Sequence, residues 1–261
     1  MQINFHKYQG TGNDFIIIDN RLGLFSLTKE QVNFLCNRRF GIGADGLMLL
    51  ELEPGADFKM VYYNSDGNQS SMCGNGGRCI MAFAKHLGMV ENKAKFIAID
   101  GLHEAAINED NSVSLKMQDV RDIESGDGFF YLNTGSPHYV KEVVGVQNYN
   151  VVGEGRNIRT SERFAEEGTN VNFIEKTENE LFVRTYERGV EDETFSCGTG
   201  VTAAALVAAL TGTSTGKNSC LVKTLGGNLE VTFERVLERN FYNIWLKGPA
   251  VKVFEGQVSL D

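Results

Sequence analysis

A chain of 261 residues holds one large domain or two of ordinary size, and a hydrophobic share of 42% is enough to fill real cores. A net charge of −9 argues against a nucleic-acid partner, which calls for a basic face. The most membrane-like stretch, Val201 to Leu210, is far short of the roughly 20 residues a span needs, so no membrane association is expected.

The N-terminus, Met1 to Lys7, reads as the start of a strand and not as a signal peptide, because no basic region precedes an apolar core and a small-residue cleavage site. A cytoplasmic protein is expected. Strands are predicted at Ile3 to Tyr8 and Phe15 to Asp19, followed by a helix capped by Thr28 and running through Arg39. Strands at Leu47 to Leu52 and Phe58 to Tyr63 lead into a turn at Cys73 and a helix ending near Gly88. Phe96 to Asp100, Glu104 to Ile107 and Val113 to Met117 read as a closing meander.

The second half repeats this order loosely. Phe130 to Leu132, Tyr139 to Val144 and Val171 to Glu175 read as strands around a short helix near Ser161 to Glu166. Leu181 to Tyr186 follows, then a turn at Cys197 and an Ala-rich helix to about Leu210. Leu221 to Lys223 and Leu229 to Phe233 flank a hairpin signal at Gly226-Gly227-Asn228. Val251 to Leu260 reads as a strand returning to the first domain. Because Val201 to Leu210 is apolar on nearly every face, that helix is expected to be buried all round.

The most informative signal is a repeat. Met72-Cys73-Gly74-Asn75-Gly76 and Ser196-Cys197-Gly198-Thr199-Gly200 match, each leading into a helix-forming run. Thr11-Gly12-Asn13 matches Thr134-Gly135-Ser136 at an offset of 123, Tyr63-Asn64 matches Tyr186-Glu187 at the same offset, and Cys73 matches Cys197 at 124. The expected fold is therefore α+β, with two pseudo-symmetric domains. Each is a curved, mostly antiparallel sheet wrapped round a central helix, with the active site in the cleft between the domains. The first domain is expected over 1–117, completed by the returning strand at about 251–261, and the second over 118–250.

A cysteine ahead of glycines and a helix is a thiol at a helix N-terminus, where outward N–H groups and the dipole favour a thiolate or a bound anion. One such site suggests a nucleophile; a matched pair suggests one base and one acid acting on one substrate. Five cysteines, Cys36, Cys73, Cys79, Cys197 and Cys220, have no scaffold-like spacing, which fits reduced thiols. With no Cys-x-x-Cys and four scattered histidines, no metal site is expected. Cys36, Cys79 and Cys220 are expected to be plain buried residues.

In these segments the sequence resembles the diaminopimelate epimerase family, the cofactor-independent enzymes of lysine and peptidoglycan-precursor synthesis. The carrying residues are Gly10 to Phe15, Gly41 to Gly46, Tyr63 to Gly67 and Met72 to Cys79. In the second half they are Pro137-His138, Thr169 to Val171, Tyr186 to Gly189 and Cys197 to Gly200. The resemblance implies a two-thiol epimerisation of LL-2,6-diaminopimelate to the meso form, without pyridoxal phosphate or any other cofactor. It implies Cys73, Cys197, His138 and Glu187 as catalytic residues, with His138 partnering Cys73 and Glu187 partnering Cys197. Substrate contacts are implied at Asn13, Asn64, Asn170, Glu187 and Arg188, with Arg188 facing the distal carboxylate. The N–H groups at Gly74-Asn75 and Gly198-Thr199 are implied to hold the reacting carboxylate.

One departure stands out: the family commonly has Gly-Asn-Pro-His where this chain has Gly135-Ser136-Pro137-His138. Ser136 is a candidate substrate contact, but it is shorter than Asn and cannot offer both an amide donor and a carbonyl acceptor to a substrate. Other readings are a proline-, hydroxyproline- or histidine-type racemase, a thiol redox protein and a non-catalytic binding module. The proline type usually carries His where this chain has Asn75. The expected partner is a small amino acid; the sequence leaves assembly open, with a homodimer as the candidate.

Overall fold

Phe15, Ile16, Ile17 and Ile18 are all buried, and a strand buried on successive residues has both faces of its sheet covered. The structure is a computed structural model that describes every residue except Ser71, Glu178, Thr215 and Asp261. Asp261, the last residue of the segment expected to return, thus lies outside the described residues. The chain divides into two units, Met1–Leu115 with Pro249–Asp261, and Lys116–Gly248.

The first unit holds strands β1 (Gln2–Gly10), β2 (Asn13–Asp19), β3 (Gly46–Glu51), β4 (Phe58–Asn64), β5 (Lys93–Ala98) and β6 (Gly101–Ile107), with β7 (Val113–Lys116) running into the boundary. The C-terminal strand β17 (Val251–Ser259) pairs antiparallel with β1. Helix α1 (Lys29–Cys36) covers one face, packing Val32, Leu35 and Cys36 against Ile16, Ile18, Leu47 and Leu49. Helix α2 (Gly74–His86) lies on the other, where Gly76 meets Phe15, Met48 and Met60.

The second unit holds β8 (Ile123–Ser125), β9 (Phe130–Asn133), β10 (Pro137–Glu142), α3 (Val151–Arg159), β11 (Asn170–Lys176), β12 (Leu181–Glu187) and β13 (Asp192–Thr194). After these come α4 (Gly198–Thr211), β14 (Ser219–Thr224), β15 (Gly227–Leu237) and β16 (Asn240–Gly248). Helix α3 covers the face bearing Val171, Phe173 and Tyr186, and Gly200 of α4 meets Asn172 and His138 on the other. As its composition predicts, α4 is buried on all sides from Gly200 to Ala208.

The two sheets have the same topology. From β17 through β1, β2, β3, β4, β5 and β6 to β7 the pairings run antiparallel, antiparallel, parallel, antiparallel, parallel, antiparallel, antiparallel. From β8 through β9, β10, β11, β12, β14 and β15 to β16 the order is identical. The expected α+β architecture, two similar halves built round central helices α2 and α4, is therefore the observed one.

Two local expectations need correction, and one strand is added. The helix expected through Arg39 stops at Cys36, because Asn37 turns extended and its side chain accepts the Arg39 and Phe40 N–H groups at 2.9 and 3.0 Å. The helix expected at Ser161 to Glu166 is a run of turns; the true helix α3 starts earlier, capped by Asn150. Gly153 and Gly155 disguise it, yet a Cβ at Gly155 would lie 2.4 Å from Tyr186 Cβ, so the glycine is what lets α3 close on β12. Strand β16 escapes notice because its alternation breaks where Asn243 takes φ 48° and the register with β15 slips.

Candidate active site

Both matched cysteines occupy the N-cap position of their unit's central helix, with extended backbone. The first bonds inside the helices run from Gly77 N–H to Cys73 O at 2.7 Å and from Val201 N–H to Cys197 O at 2.8 Å. The N–H groups of Gly74, Asn75 and Gly76, and of Gly198, Thr199 and Gly200, therefore face outward beside each sulfur. Cys73 is half-buried and Cys197 is buried.

In the first unit, Cys73 Sγ donates to Asn13 Oδ1 at 3.5 Å. The orientation of Asn13 follows from its other end, where Nδ2 donates to Asp45 Oδ2 at 2.7 Å. Asp45 also accepts from Arg38 at 2.8 Å, and Arg38 grips Asp14 with two further bonds of 2.7 and 2.9 Å. Burial alone raises the Asp14 carboxyl, but hydrogen bonds from Arg38 and Lys7 outweigh it and hold it well below the usual range. Asn75 Nδ2 donates to the same Asn13 oxygen at 3.3 Å. Beneath it Arg78, fully buried, donates to Asn75 Oδ1, Thr11 Oγ1, Gly74 O and Pro249 O at 3.0 to 3.3 Å. Asn64, at the end of β4, is exposed.

In the second unit His138 is fully buried. Asn172 Nδ2 lies 3.0 Å from His138 Nδ1 and 3.0 Å from the Tyr139 carbonyl, while its Oδ1 accepts from Thr185 at 3.0 Å. Since a carbonyl can only accept, the amide of Asn172 has one orientation and its NH2 donates to Nδ1. The ring proton is then on Nε2, which donates to Ser136 Oγ at 3.0 Å. Burial, with the charge of Arg188 adding to it, pushes His138 down to about 3, so the ring is neutral at physiological pH. Ser136 Oγ also accepts from Asn170 Nδ2 at 3.1 Å and lies 3.1 Å from Thr199 Oγ1, which lies 3.4 Å from Cys197 Sγ. Both ring nitrogens are committed inside this unit. The path from His138 leads through two hydroxyls to Cys197, where the resemblance pairs it with Cys73.

The remaining candidates take supporting positions. Asn170 is buried and its Oδ1 accepts the Arg188 N–H at 2.9 Å, fixing the backbone that carries the arginine. Arg188 is exposed and donates one N–H to Glu167 O at 2.7 Å, which leaves most of its fork for other acceptors. Glu187 accepts from Thr194 at 2.9 Å. Cys79, fully buried, is pushed up to about 12 by desolvation, which removes it from thiolate chemistry; Cys36 follows the same logic. Asn172, Asp45 and Arg78 join these networks with no role expected from the sequence. Asn172 leaves a trace, a polar residue in the otherwise apolar run Val171 to Ile174 of a strand covered on both faces.

The model of the family described as diaminopimelate epimerase matches residues 5–122 and 130–253. The diaminopimelate epimerase of Flavobacterium psychrophilum is 54% identical, over 97% of this chain and 99% of its own. That of Chlorobaculum tepidum is 44% identical, over 96% and 99%. Among solved structures, a PhzF-family phenazine biosynthesis protein of Bacillus anthracis superposes with a TM-score of 0.76 at 16% identity, covering all of both chains. A probable proline racemase from Agrobacterium radiobacter K84 gives 0.69 at 17%, over 99% of this chain and 93% of its own. The structural likenesses establish the shared fold, and the sequence matches establish descent: the chain belongs to the diaminopimelate epimerase family.

Proposed function

We infer that the chain is an isomerase converting LL-2,6-diaminopimelate to meso-diaminopimelate, a step of lysine and peptidoglycan-precursor synthesis. The observation that carries the mechanism is the duplicated thiol: two topologically identical halves each cap a buried helix with one cysteine. In this reading one cysteine, as thiolate, takes the α-proton and the other, as thiol, returns one to the opposite face. The pair then finishes with its protonation states exchanged and titrates as a coupled unit.

Removing the proton moves charge onto the reacting carboxylate. Two helix N-termini, through the N–H groups at Gly74-Asn75 and Gly198-Thr199, are the source of stabilisation for it. That role is what an electron-sink cofactor supplies in other racemases, so the reading needs none. His138 and Glu187 set the poise of the thiols. Asn13, Asn64, Asn170 and Arg188 grip the substrate, with the guanidinium fork on the distal carboxylate. Ser136 is a further candidate contact for the substrate. A cytoplasmic location suits a protein with five cysteines and no disulfide spacing. A homodimer is the assembly to test by light scattering.

The test is conversion of LL-diaminopimelate by the purified, reduced protein with no added cofactor, followed by chiral separation. Meso product supports the reading. Turnover of proline or hydroxyproline with none of diaminopimelate would replace it with the racemase alternative.

A further inference from the structure

The repeat gives this chain an internal control. Position by position, Gly76 of α2 corresponds to Gly200 of α4, and the residues each meets correspond as well. Gly76 faces Phe15 and Met48; Gly200 faces His138 and Asn172. The first half shows that the fold builds this layer from apolar side chains. The second half spends the same places on a buried imidazole and amide, which costs stability unless every polar atom is matched. A buried polar pair at a position the fold fills with Phe and Met calls for a chemical reason.

A second correspondence supplies it. Asn13 and Ser136 hold equivalent places, as do Asn75 and Thr199. Asn13 reaches its own unit's cysteine directly, at 3.5 Å. Ser136 is too short for that, and Thr199 completes the distance: Ser136 Oγ to Thr199 Oγ1 is 3.1 Å, and Thr199 Oγ1 to Cys197 Sγ is 3.4 Å. The hydrogen count fixes the direction. Ser136 Oγ receives N–H bonds from His138 Nε2 and Asn170 Nδ2, which use both its lone pairs, so its own proton points to Thr199. Thr199 Oγ1 accepts that proton, and Cys197 Sγ is the neighbour left to receive its own. A sulfur that receives a hydroxyl proton is favoured as thiolate, whereas Cys73 donates its proton to Asn13.

We propose that Ser136 is a positioning residue that, with Thr199, carries the polarisation of the neutral His138 ring to Cys197 and favours its thiolate. This deepens the epimerase reading and rests on it for the purpose of the thiolate. Of the charged groups nearest these residues, Glu187 accepts through its carboxylate from Thr194, and Arg188, just past the end of β12, carries a charge that reaches His138. Cys220 on β14, which also packs against α4, is fully buried. All three are left in place by the variants below.

The experiment is the pH profile of iodoacetamide alkylation of the substrate-free, reduced full chain, read separately at Cys73 and Cys197 by peptide mass spectrometry. In Ser136→Ala and Thr199→Val the Cys197 midpoint should rise by about one unit, roughly tenfold in rate on the rising limb, the size of one charge-assisted bond lost. The Cys73 midpoint should stay, and Thr199→Ser, which keeps the hydroxyl, should restore the wild-type profile. A Cys197 midpoint unmoved in both hydroxyl-deleting variants overturns the relay, as does an equal shift at Cys73. Because no substrate is present, either result is independent of turnover. A wild type that makes meso product while the midpoints stay put loses the relay and keeps the function.

Discussion

Asn172 Nδ2 lies 3.0 Å from His138 Nδ1, and that contact leaves the imidazole proton only on Nε2, facing Ser136. The ring is thereby a donor and not a base. Its surroundings favour the neutral form so strongly that it titrates near 3 instead of its usual 6.5.

Stability should therefore depend on pH through His138. A histidine whose folded value is depressed contributes fully above its unfolded value, near 6.5, and the contribution is lost as pH falls toward about 3. Over that window the unfolded chain binds one more proton, a slope of about 1.4 kcal/mol per pH unit. Urea midpoints measured from pH 7.5 down to 5 should show this slope in the wild type and lose that component in His138→Gln. Equal slopes in both proteins would contradict a neutral buried ring.

Two corresponding glycines should respond in opposite ways to a methyl group. A Cβ at Gly200 would lie 2.4 Å from Asn172 Oδ1 and 3.3 Å from His138 Cε1, so Gly200→Ala should cost about 1–3 kcal/mol and lower turnover. A Cβ at Gly76 meets Met48 Sδ and Met60 Cε at 3.4 Å, ordinary contact with flexible side chains. Gly76→Ala should be neutral or slightly stabilising, because alanine is the better helix former. Thermal melts of both variants decide the point.

Arg78 donates to four neutral oxygens and is fully buried beneath Asn75. Lysine cannot reproduce a planar fork with that many separate donors. Arg78→Lys should lose about 2–4 kcal/mol, since buried acceptors on Thr11, Asn75, Gly74 and Pro249 are left unmatched. Denaturant unfolding checks this, and a variant within 0.5 kcal/mol of wild type, a change of about the size of a neutral surface substitution, would show the network to be dispensable.

Much of this was legible in the residues. Apolar alternation with Gly-rich punctuation placed most strands, and the all-apolar run after Cys197 announced a buried helix. The repeat at offsets of 123 and 124 anticipated two sheets of one topology. What stayed hidden depends on contacts distant in sequence. Helix α3 carries glycines at 153 and 155 that speak against a helix, and Gly155 is needed only for its approach to Tyr186. Asn172 carries no motif, and its importance comes from register, which sets it opposite Thr185 on β12 and beside His138. The serine at 136 is short beside asparagine, and only the fold shows that the hydroxyl of Thr199 lies between it and the sulfur.

In the proposed reaction two thiols exchange the α-proton of diaminopimelate with solvent. Reduced protein incubated with LL-diaminopimelate in D2O, without added cofactor, should give meso product carrying deuterium at the inverted α-carbon. Cys73→Ser and Cys197→Ser should each, while folded, lower its formation by at least about a hundredfold, the scale of a missing general acid or base. Wild-type rates in either variant, or meso product that retains its original hydrogen, would contradict the two-thiol account.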